Sequence, residues 1–225
     1  MSKKHVILAL TGHEYSSSFL MQWSETILEL TKQGYSIGVS TGVNKRTHIA
    51  RLQSLGLEPL RGKDQKPFDG KVPYDVWLSI DHDVIFTPKQ VIELVEDTDK
   101  FPVISGMYRI DGAVNLSYIS KFDDEYYKKN GRYEMAHVES VDPNRKHISV
   151  DHTEMGFFAC TREVIEKMTY PYFYHPPIEI QTEDDNTLVH VVTDDEAFCR
   201  NVKTAGYVVH VNTDLRVGHE KKIVL

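Results

Sequence analysis

Five nearly apolar residues, Val76-Trp77-Leu78-Ser79-Ile80, run directly into Asp81-His82-Asp83. A short continuous apolar run marks a strand covered on both faces, as in a parallel sheet flanked by helices. Two carboxylates one residue apart project to the same side while the backbone stays extended. The run therefore brings two hard oxygen donors to the end of a buried strand. Such donors suit Mg²⁺ or Mn²⁺, and through the ion they suit phosphates. The same residues also describe a solvated strand-to-helix turn in which Asp83 merely caps the next segment.

The first half of the chain alternates strand and helix. Val6 to Leu10 is a second apolar run. Ser17 or Ser18 then caps a helix with Phe19, Leu20, Trp23, Ile27, Leu28 and Leu30 on one side, and Gly34 stops it. Tyr35 to Ser40 reads as a strand. Asn44 opens a helix through Ala50, Leu52 and Leu55, which Gly56 ends. After a Gly- and Pro-rich loop from Arg61 to Tyr74 comes the Val76–Ile80 strand. Thr87-Pro88 starts another helix with Pro88 at its first position, and Val103 to Met107 is a fourth strand. This alternation predicts an α/β, Rossmann-like, mostly parallel sheet with helices on both faces. Ligands of such sheets bind beyond the carboxyl ends of the strands. Thr11, Thr41 and Asp81-His82-Asp83 all lie at those ends.

The second half is less regular and reads as a smaller, mixed portion. Ala113 to Ser120 alternates like an exposed strand, and Asp123 to Arg132 is polar and Tyr-rich. Strand-like residues surround Met155-Gly156-Phe157-Phe158, and Thr161 caps a short helix through Met168. Tyr170 to Asn186 is Pro-rich, aromatic and acidic, with the length of a lid or substrate loop. Thr193 opens a helix that Gly206 closes, Tyr207 to Val211 is a last strand, and Gly218-His219 lies in the tail. The expectation is one domain over 1–225, with a nucleotide-binding half at 1–110 and an acceptor and catalytic half at 111–225.

At 225 residues the chain can bury one sizeable core. Its net charge is -7 with scattered Lys and Arg, which argues against a nucleic-acid partner. An acidic protein still binds a nucleoside diphosphate when a metal supplies positive charge. No apolar run has transmembrane length, so no membrane insertion is expected, and the run after Lys3-Lys4 is too short for a signal peptide. Cys160 and Cys199 read as reduced, buried thiols, which fits a cytoplasmic location. The phosphate loops G-x-x-x-x-G-K-[ST] and G-x-G-x-x-G are absent, as are G-x-S-x-G, H-E-x-x-H and zinc-spaced cysteine pairs.

Three further candidates carry two readings each. Thr193 and Glu196 have capping-box spacing, and acids there suit a helix N-terminus; alternatively one carboxylate of Asp194-Asp195-Glu196 stands at a site mouth as a base. Arg51 is a solvated helix residue or a phosphate or nucleobase contact. His219 matters only if the chain folds back to the Asp pair, where an imidazole completes a Mn²⁺ site.

In order and spacing these pieces resemble a GT-A glycosyltransferase of the small family-2-like kind. Val6 to Thr11 resembles the opening nucleotide-binding strand, and Ala50-Arg51 the Ala-Arg-Asn helix motif, with Leu52 in place of Asn. Leu78 to Pro88 resembles the metal-binding "DxD" segment with its Phe-x-Pro helix start. Met155 to Val164 is similar to the Gly-Phe segment that lines the sugar. Asp194-Asp195-Glu196-Ala197-Phe198-Cys199-Arg200 with the trailing Gly218-His219 resembles the Glu-Asp-x-x-Phe-Cys helix and its metal-binding His, with Asp194 in place of Glu. The length and Tyr-rich second half are similar to glycosyltransferase domains of large algal DNA viruses, which decorate capsid glycans from UDP-sugars; that likeness implies a host-cytoplasm location.

The resemblance implies transfer of a hexosyl or deoxyhexosyl group from a nucleotide-diphosphate sugar, foremost a UDP-sugar, to a glycan hydroxyl, with Mn²⁺ or Mg²⁺. Asp83 would bind the metal, Asp81 the metal or the ribose, and His219 would complete the shell. Asp195 would take the acceptor proton, giving inversion. Thr11, Thr41 and Arg51 would hold the nucleotide, and Met155 and Gly156 would lie beside the donor sugar. Tyr170, Tyr172, Phe173 and Tyr174 would form an acceptor platform or simply pack. The competing readings are a retaining GT-A enzyme, a nucleotidyltransferase, and a non-catalytic nucleotide- or carbohydrate-binding module.

Overall fold

Val6 to Ala9 lie in β1 (His5–Leu10), and their side chains part to opposite faces of one sheet. Val6 and Leu8 join one apolar cluster and Ile7 and Ala9 the other, as the period of two in a strand requires. The computed structural model describes residues 3–12, 14–43, 46–110 and 114–220. After β1 come α1 (Ser17–Lys32), β2 (Ser36–Thr41), α2 (Thr47–Ser54), β3 (Val76–Ile80), β4 (Val84–Ile85), α3 (Pro88–Asp97) and β5 (Val103–Met107). Next are β6 (Tyr118–Ile119), α4 (Asp124–Asn130), β7 (His147–Val150), β8 (His152–Thr153), β9 (Phe157–Thr161) and α5 (Arg162–Lys167). The chain ends with β10 (Ile178–Gln181), β11 (Thr187–His190), α6 (Asp194–Thr204), β12 (Val209–Arg216) and β13 (Gly218–His219).

Seven strands form the central sheet in the order β2-β1-β3-β9-β5-β12-β7. β1, β2, β3, β5 and β12 run one way; β9 and β7 run against them. The sheet is thus mostly parallel, and β9, from the second half of the chain, is threaded between β3 and β5. On one face, Phe19 and Trp23 of α1 and Leu94 and Val95 of α3 cover Val6, Leu8, Leu78 and Ile80. On the other, Leu52 of α2 and Phe198 and Val202 of α6 cover Ile7, Ala9, Trp77 and Phe158. Trp77 also donates its Nε1–H to Ser54 Oγ at 3.3 Å, which satisfies the indole inside the core. Cys160 and Cys199 are free and buried.

Several local expectations change. Ser16, not Ser17 or Ser18, caps α1, because its hydroxyl accepts from Phe19 N–H at 3.1 Å. The expected helix start at Asn44 lies outside the described residues. The 113–120 segment is strand only at Tyr118–Ile119; Leu116 bridges Arg109, Asn115 bridges His137, and Ala113 lies outside the described residues. The proposed lid over Tyr170–Asn186 is partly regular, since β10 pairs with β11 in an antiparallel hairpin. Tyr172 and Phe173 point into the core, where Phe173 stacks on Phe198 with ring centroids 5.1 Å apart, so packing rather than an acceptor platform accounts for them. Among the described residues no helix is long and apolar enough to cross a membrane.

Candidate active site

The C-terminal ends of β1 and β3 are register neighbours through Leu10 and Ile80, so the residues just beyond each strand meet. Thr11 Oγ1 donates to Asp81 Oδ1 at 3.1 Å. Thr41 ends the adjoining strand β2 but is exposed and does not line the cavity at this edge. α2 comes unusually close to this edge. A Cβ on Gly42 would lie 1.7 Å from the Ala50 carbonyl oxygen, so only glycine there lets α2 settle against the turn after β2. That approach buries the next residue, Arg51, to 2% exposure.

Arg51 is the hub of the site. Its guanidinium reaches Asp81 Oδ2 at 3.3 Å and Asp194 Oδ2 at 3.1 Å, and it also bonds Asp195 Oδ1. Burial alone opposes the charge, but the carboxylates of Asp81 and Asp194 outweigh it and raise the pKa of Arg51. Arg51 is thus neither a solvated helix residue nor a cavity-lining contact but a buried ion-pair partner, and the first turn of α6 delivers two of its three carboxylates. Asp195 is 5% exposed, and its second oxygen accepts from Met155 N–H at 3.0 Å. Asp194 keeps 28% of its side chain exposed. The capping box is only half made. Thr193 Oγ1 accepts from Glu196 N–H at 3.3 Å, but the Glu196 carboxylate turns to His190 Nε2 and Arg200 Nε, both at 2.7 Å.

His219 is brought in from the far end of the chain. β13 pairs antiparallel with β4, placing His219 opposite Val84 and beside Asp83. His219 Nδ1 lies 2.9 Å from the Arg109 carbonyl oxygen, and Nε2 lies 3.0 Å from Asp83 Oδ2. A carbonyl only accepts, so Nδ1 donates to it, and on the singly protonated ring Nε2 is then a lone-pair acceptor facing a carboxylate oxygen. Two such acceptors at that spacing need a proton or a cation between them. The spacing also matches two neighbouring ligands of one octahedral ion at about 2.1 Å each. The pair therefore fits a hard divalent ion. Among the described residues no three His, Cys, Asp or Glu side chains gather as a metal cage, and the Asp81 carboxylate is held by Thr11 and Arg51 instead.

Thr11, Asp81, Asp83 and His219 open on a cavity of about 270 Å³ also lined by Thr47, His82, Tyr108, Ile110 and Glu154, whereas Arg51, Asp194 and Asp195 do not line it. It sits beyond the carboxyl ends of the parallel strands, where such sheets bind ligands. The full-length match of the fold decides what the sheet is. The chain superposes on A197 from STIV with a TM-score of 0.55 at 16% identity, over 98% of this chain and 87% of that one. It also superposes on GalNAc-T7, solved with UDP, GalNAc and Mn²⁺, with a TM-score of 0.56 at 10% identity, over 98% of this chain. The chain has the GT-A fold. It spans 44% of the length of GalNAc-T7. No family model matches the sequence, and no curated protein matches it either.

Within this GT-A fold four cavity residues escape a reading of the sequence: Thr47, Tyr108, Ile110 and Glu154. Tyr108 follows β5 and receives Gly156 N–H on its hydroxyl at 3.2 Å. A Cβ on Gly156 would lie 2.4 Å from that hydroxyl, so the glycine makes room for Tyr108. Burial, together with Asp81 and Glu154, pushes the Tyr108 phenol well above its ordinary pKa and keeps it neutral. Met155 and Gly156 are themselves buried and do not line the cavity.

Proposed function

We propose that this chain is a metal-dependent glycosyltransferase that moves a hexosyl or deoxyhexosyl group from a nucleotide-diphosphate sugar, a UDP-sugar foremost, to a hydroxyl of an acceptor glycan. The observation that carries the reading is the Asp83–His219 pair at the carboxyl end of β3, beside an Asp81 carboxylate oriented by Thr11 and Arg51. Asp83 and His219 would hold a divalent cation there, which would supply positive charge against a departing diphosphate. GalNAc-T7, a protein of the same fold, is solved with a nucleoside diphosphate, a sugar and Mn²⁺, which supports this choice over a bare binding module.

The chain's own residues do the rest. Asp83 and His219 present an oxygen and a nitrogen at 3.0 Å. Arg51 fastens Asp81 to the start of α6, so the two sides of the site share one rigid hub. In the inverting reading, Asp195 takes the proton of the acceptor hydroxyl on a carboxylate oxygen. Its place in the first turn of α6, next to Arg51, supports that role, and the step requires one of its two present bonds to yield when acceptor arrives. The greater exposure of Asp194 favours a second reading in which Asp194 meets the hydroxyl and Asp195 holds Arg51 and the Met155 amide.

Calorimetric titration with UDP, GDP, CDP and ADP, each with and without Mn²⁺, tests the proposal. Tight binding of one diphosphate only with metal is the expected result. Binding of none would end the glycosyltransferase reading. Anomeric configuration of the product then separates inversion from retention.

A further inference from the structure

The geometry points to Glu154 and His152 as a sugar-reading pair in the Asp81–Asp83–His219 cavity, with the Glu154 carboxylate accepting hydrogen bonds from hydroxyls of a neutral donor sugar and His152 holding that carboxylate in place. This pair's role rests on the nucleotide-sugar reading and names the part of the site that distinguishes the sugar from the diphosphate.

Of three consecutive residues, Glu154, Met155 and Gly156, only Glu154 reaches the cavity. Gly156 is covered by the Tyr108 hydroxyl, and Met155 gives its N–H to Asp195. Glu154 is held at both ends. Its N–H donates to the Ser117 carbonyl at 2.7 Å, and its Oε1 lies 3.3 Å from His152 Nε2. The Glu154 side chain keeps 34% exposure, whereas His152 is 3% exposed and stands behind it. A carboxylate anchored from behind by a buried imidazole, with its open side toward a cavity, is a built recognition group rather than a solvated surface acid.

Its chemistry suits hydroxyls. One oxygen of the Glu154 carboxylate is held by the His152 imidazole at 3.3 Å, which leaves the other for the cavity. An ionised carboxylate only accepts, and sugar hydroxyls donate. With one oxygen held by His152, Glu154 is placed to position the sugar. Asp81, Asp83 and Glu154 around one cavity also oppose a carboxylate on the ligand's sugar, which favours a neutral hexose over a hexuronate.

The test compares dissociation constants for UDP, UDP-glucose, UDP-galactose, UDP-N-acetylglucosamine and UDP-glucuronate, all with Mn²⁺, in wild type, Glu154→Gln, Glu154→Ala, His152→Leu and His152→Gln. The diagnostic quantity is the ratio of the constant for the best neutral UDP-hexose to that for UDP. It should rise about 10- to 100-fold in both Glu154 variants, the worth of hydrogen bonds to a charged group, with UDP itself unchanged within about twofold. The ratio should also rise in His152→Leu and return toward wild type in His152→Gln, which can still donate to Glu154; a merely structural role of His152 would not move it. Wild type should bind UDP-glucuronate more weakly than a neutral sugar, and Glu154→Gln should narrow that gap. An unchanged ratio, a wild-type preference for glucuronate, or a loss of UDP affinity itself in the size-conserving Glu154→Gln would overturn the pair's role. If wild type binds no UDP with metal, the nucleotide-sugar reading itself falls, a failure visible before any variant is made.

Discussion

His219 Nε2 stands 3.0 Å from Asp83 Oδ2, a contact between residues 136 positions apart in the chain. Its cause is a two-residue strand pair, β13 on β4, which turns the tail back over the acidic turn. The imidazole is oriented by the Arg109 carbonyl, the kind of outer contact that fixes the tautomer of a metal-binding histidine.

Replacing either partner should therefore separate metal binding from folding. His219→Ala and Asp83→Asn are expected to weaken Mn²⁺-dependent UDP binding by roughly 10- to 100-fold or more, since outer contacts alone are worth that much. The melting temperature without metal should stay near wild type for Asp83→Asn, whose side chain keeps 34% exposure, and fall modestly for His219→Ala, which also loses contacts with Arg109 and Tyr108. Calorimetry with and without Mn²⁺ reads this, and equal metal dependence in variant and wild type would exclude the pair as ligands.

Arg51 serves stability as much as binding. Arg51→Met leaves the carboxylates of Asp81, Asp194 and Asp195 facing one another without their cation, and breaking a buried pair in this way costs about 3–5 kcal/mol. Arg51→Lys should recover only part of it, because an ammonium cannot fork to carboxylates on two elements. Urea unfolding of the three proteins checks the order; a lysine variant as stable as wild type would count against the hub.

The two candidate bases separate by kinetics. If Asp195 takes the acceptor proton, Asp195→Asn lowers turnover by about 10²- to 10⁴-fold while metal-dependent UDP binding stays nearly intact. Asp194→Asn should then leave most of the rate. The opposite pattern would assign the proton to Asp194.

Gly156→Ala forces a methyl group to 2.4 Å from the Tyr108 hydroxyl and should destabilise the fold by about 1–3 kcal/mol. Tyr108→Phe removes that oxygen but leaves Cζ 2.9 Å from the added carbon, so the double variant should regain only part of the loss. A double-mutant cycle measures the coupling, and strict additivity would mean the two residues do not meet.

The His152–Glu154 pair predicts a pH signature. Burial opposes the charge on His152, but the nearby Cys199 sulfur and the Glu154 carboxylate it bonds prevail and push the pKa up to about 10. The folded state then binds the proton more tightly than the unfolded chain, whose histidines titrate near about 6.5. The contribution is full below that value and is lost as pH rises toward about 10. Glu154, held below its ordinary range, contributes above about pH 4.3 and loses that as pH falls. Wild-type stability should decline between about pH 7 and 10 more steeply than that of His152→Leu. Parallel slopes would contradict the raised histidine.

Much of the frame is legible in the chain itself. The nearly continuous apolar runs at Val6–Leu10, Val76–Ile80 and Val103–Met107 define buried strands because a strand covered on both faces keeps its side chains from water, and only the small Ser79 and Ser105 interrupt them. Pro88 and Gly206 punctuate helices through backbone geometry, which is a local property. The Asp81–Asp83 turn follows from its place at a strand end. Tyr172 and Phe173 show where such reading stops: an aromatic run looks the same whether it meets a sugar or stacks on Phe198.

Sequence alone determined the alternation, the two-sided sheet and the acidic turn, because each depends on neighbours within a few residues. Tertiary structure alone decided that Arg51 joins Asp81 to Asp194 and Asp195, that His219 closes on Asp83, and that Glu154 rather than Met155 or Gly156 reaches the cavity. Those contacts join residues far apart in the chain. They exist only because α2 settles against Gly42, α6 packs on Trp77, and a two-residue strand brings the tail back to β4.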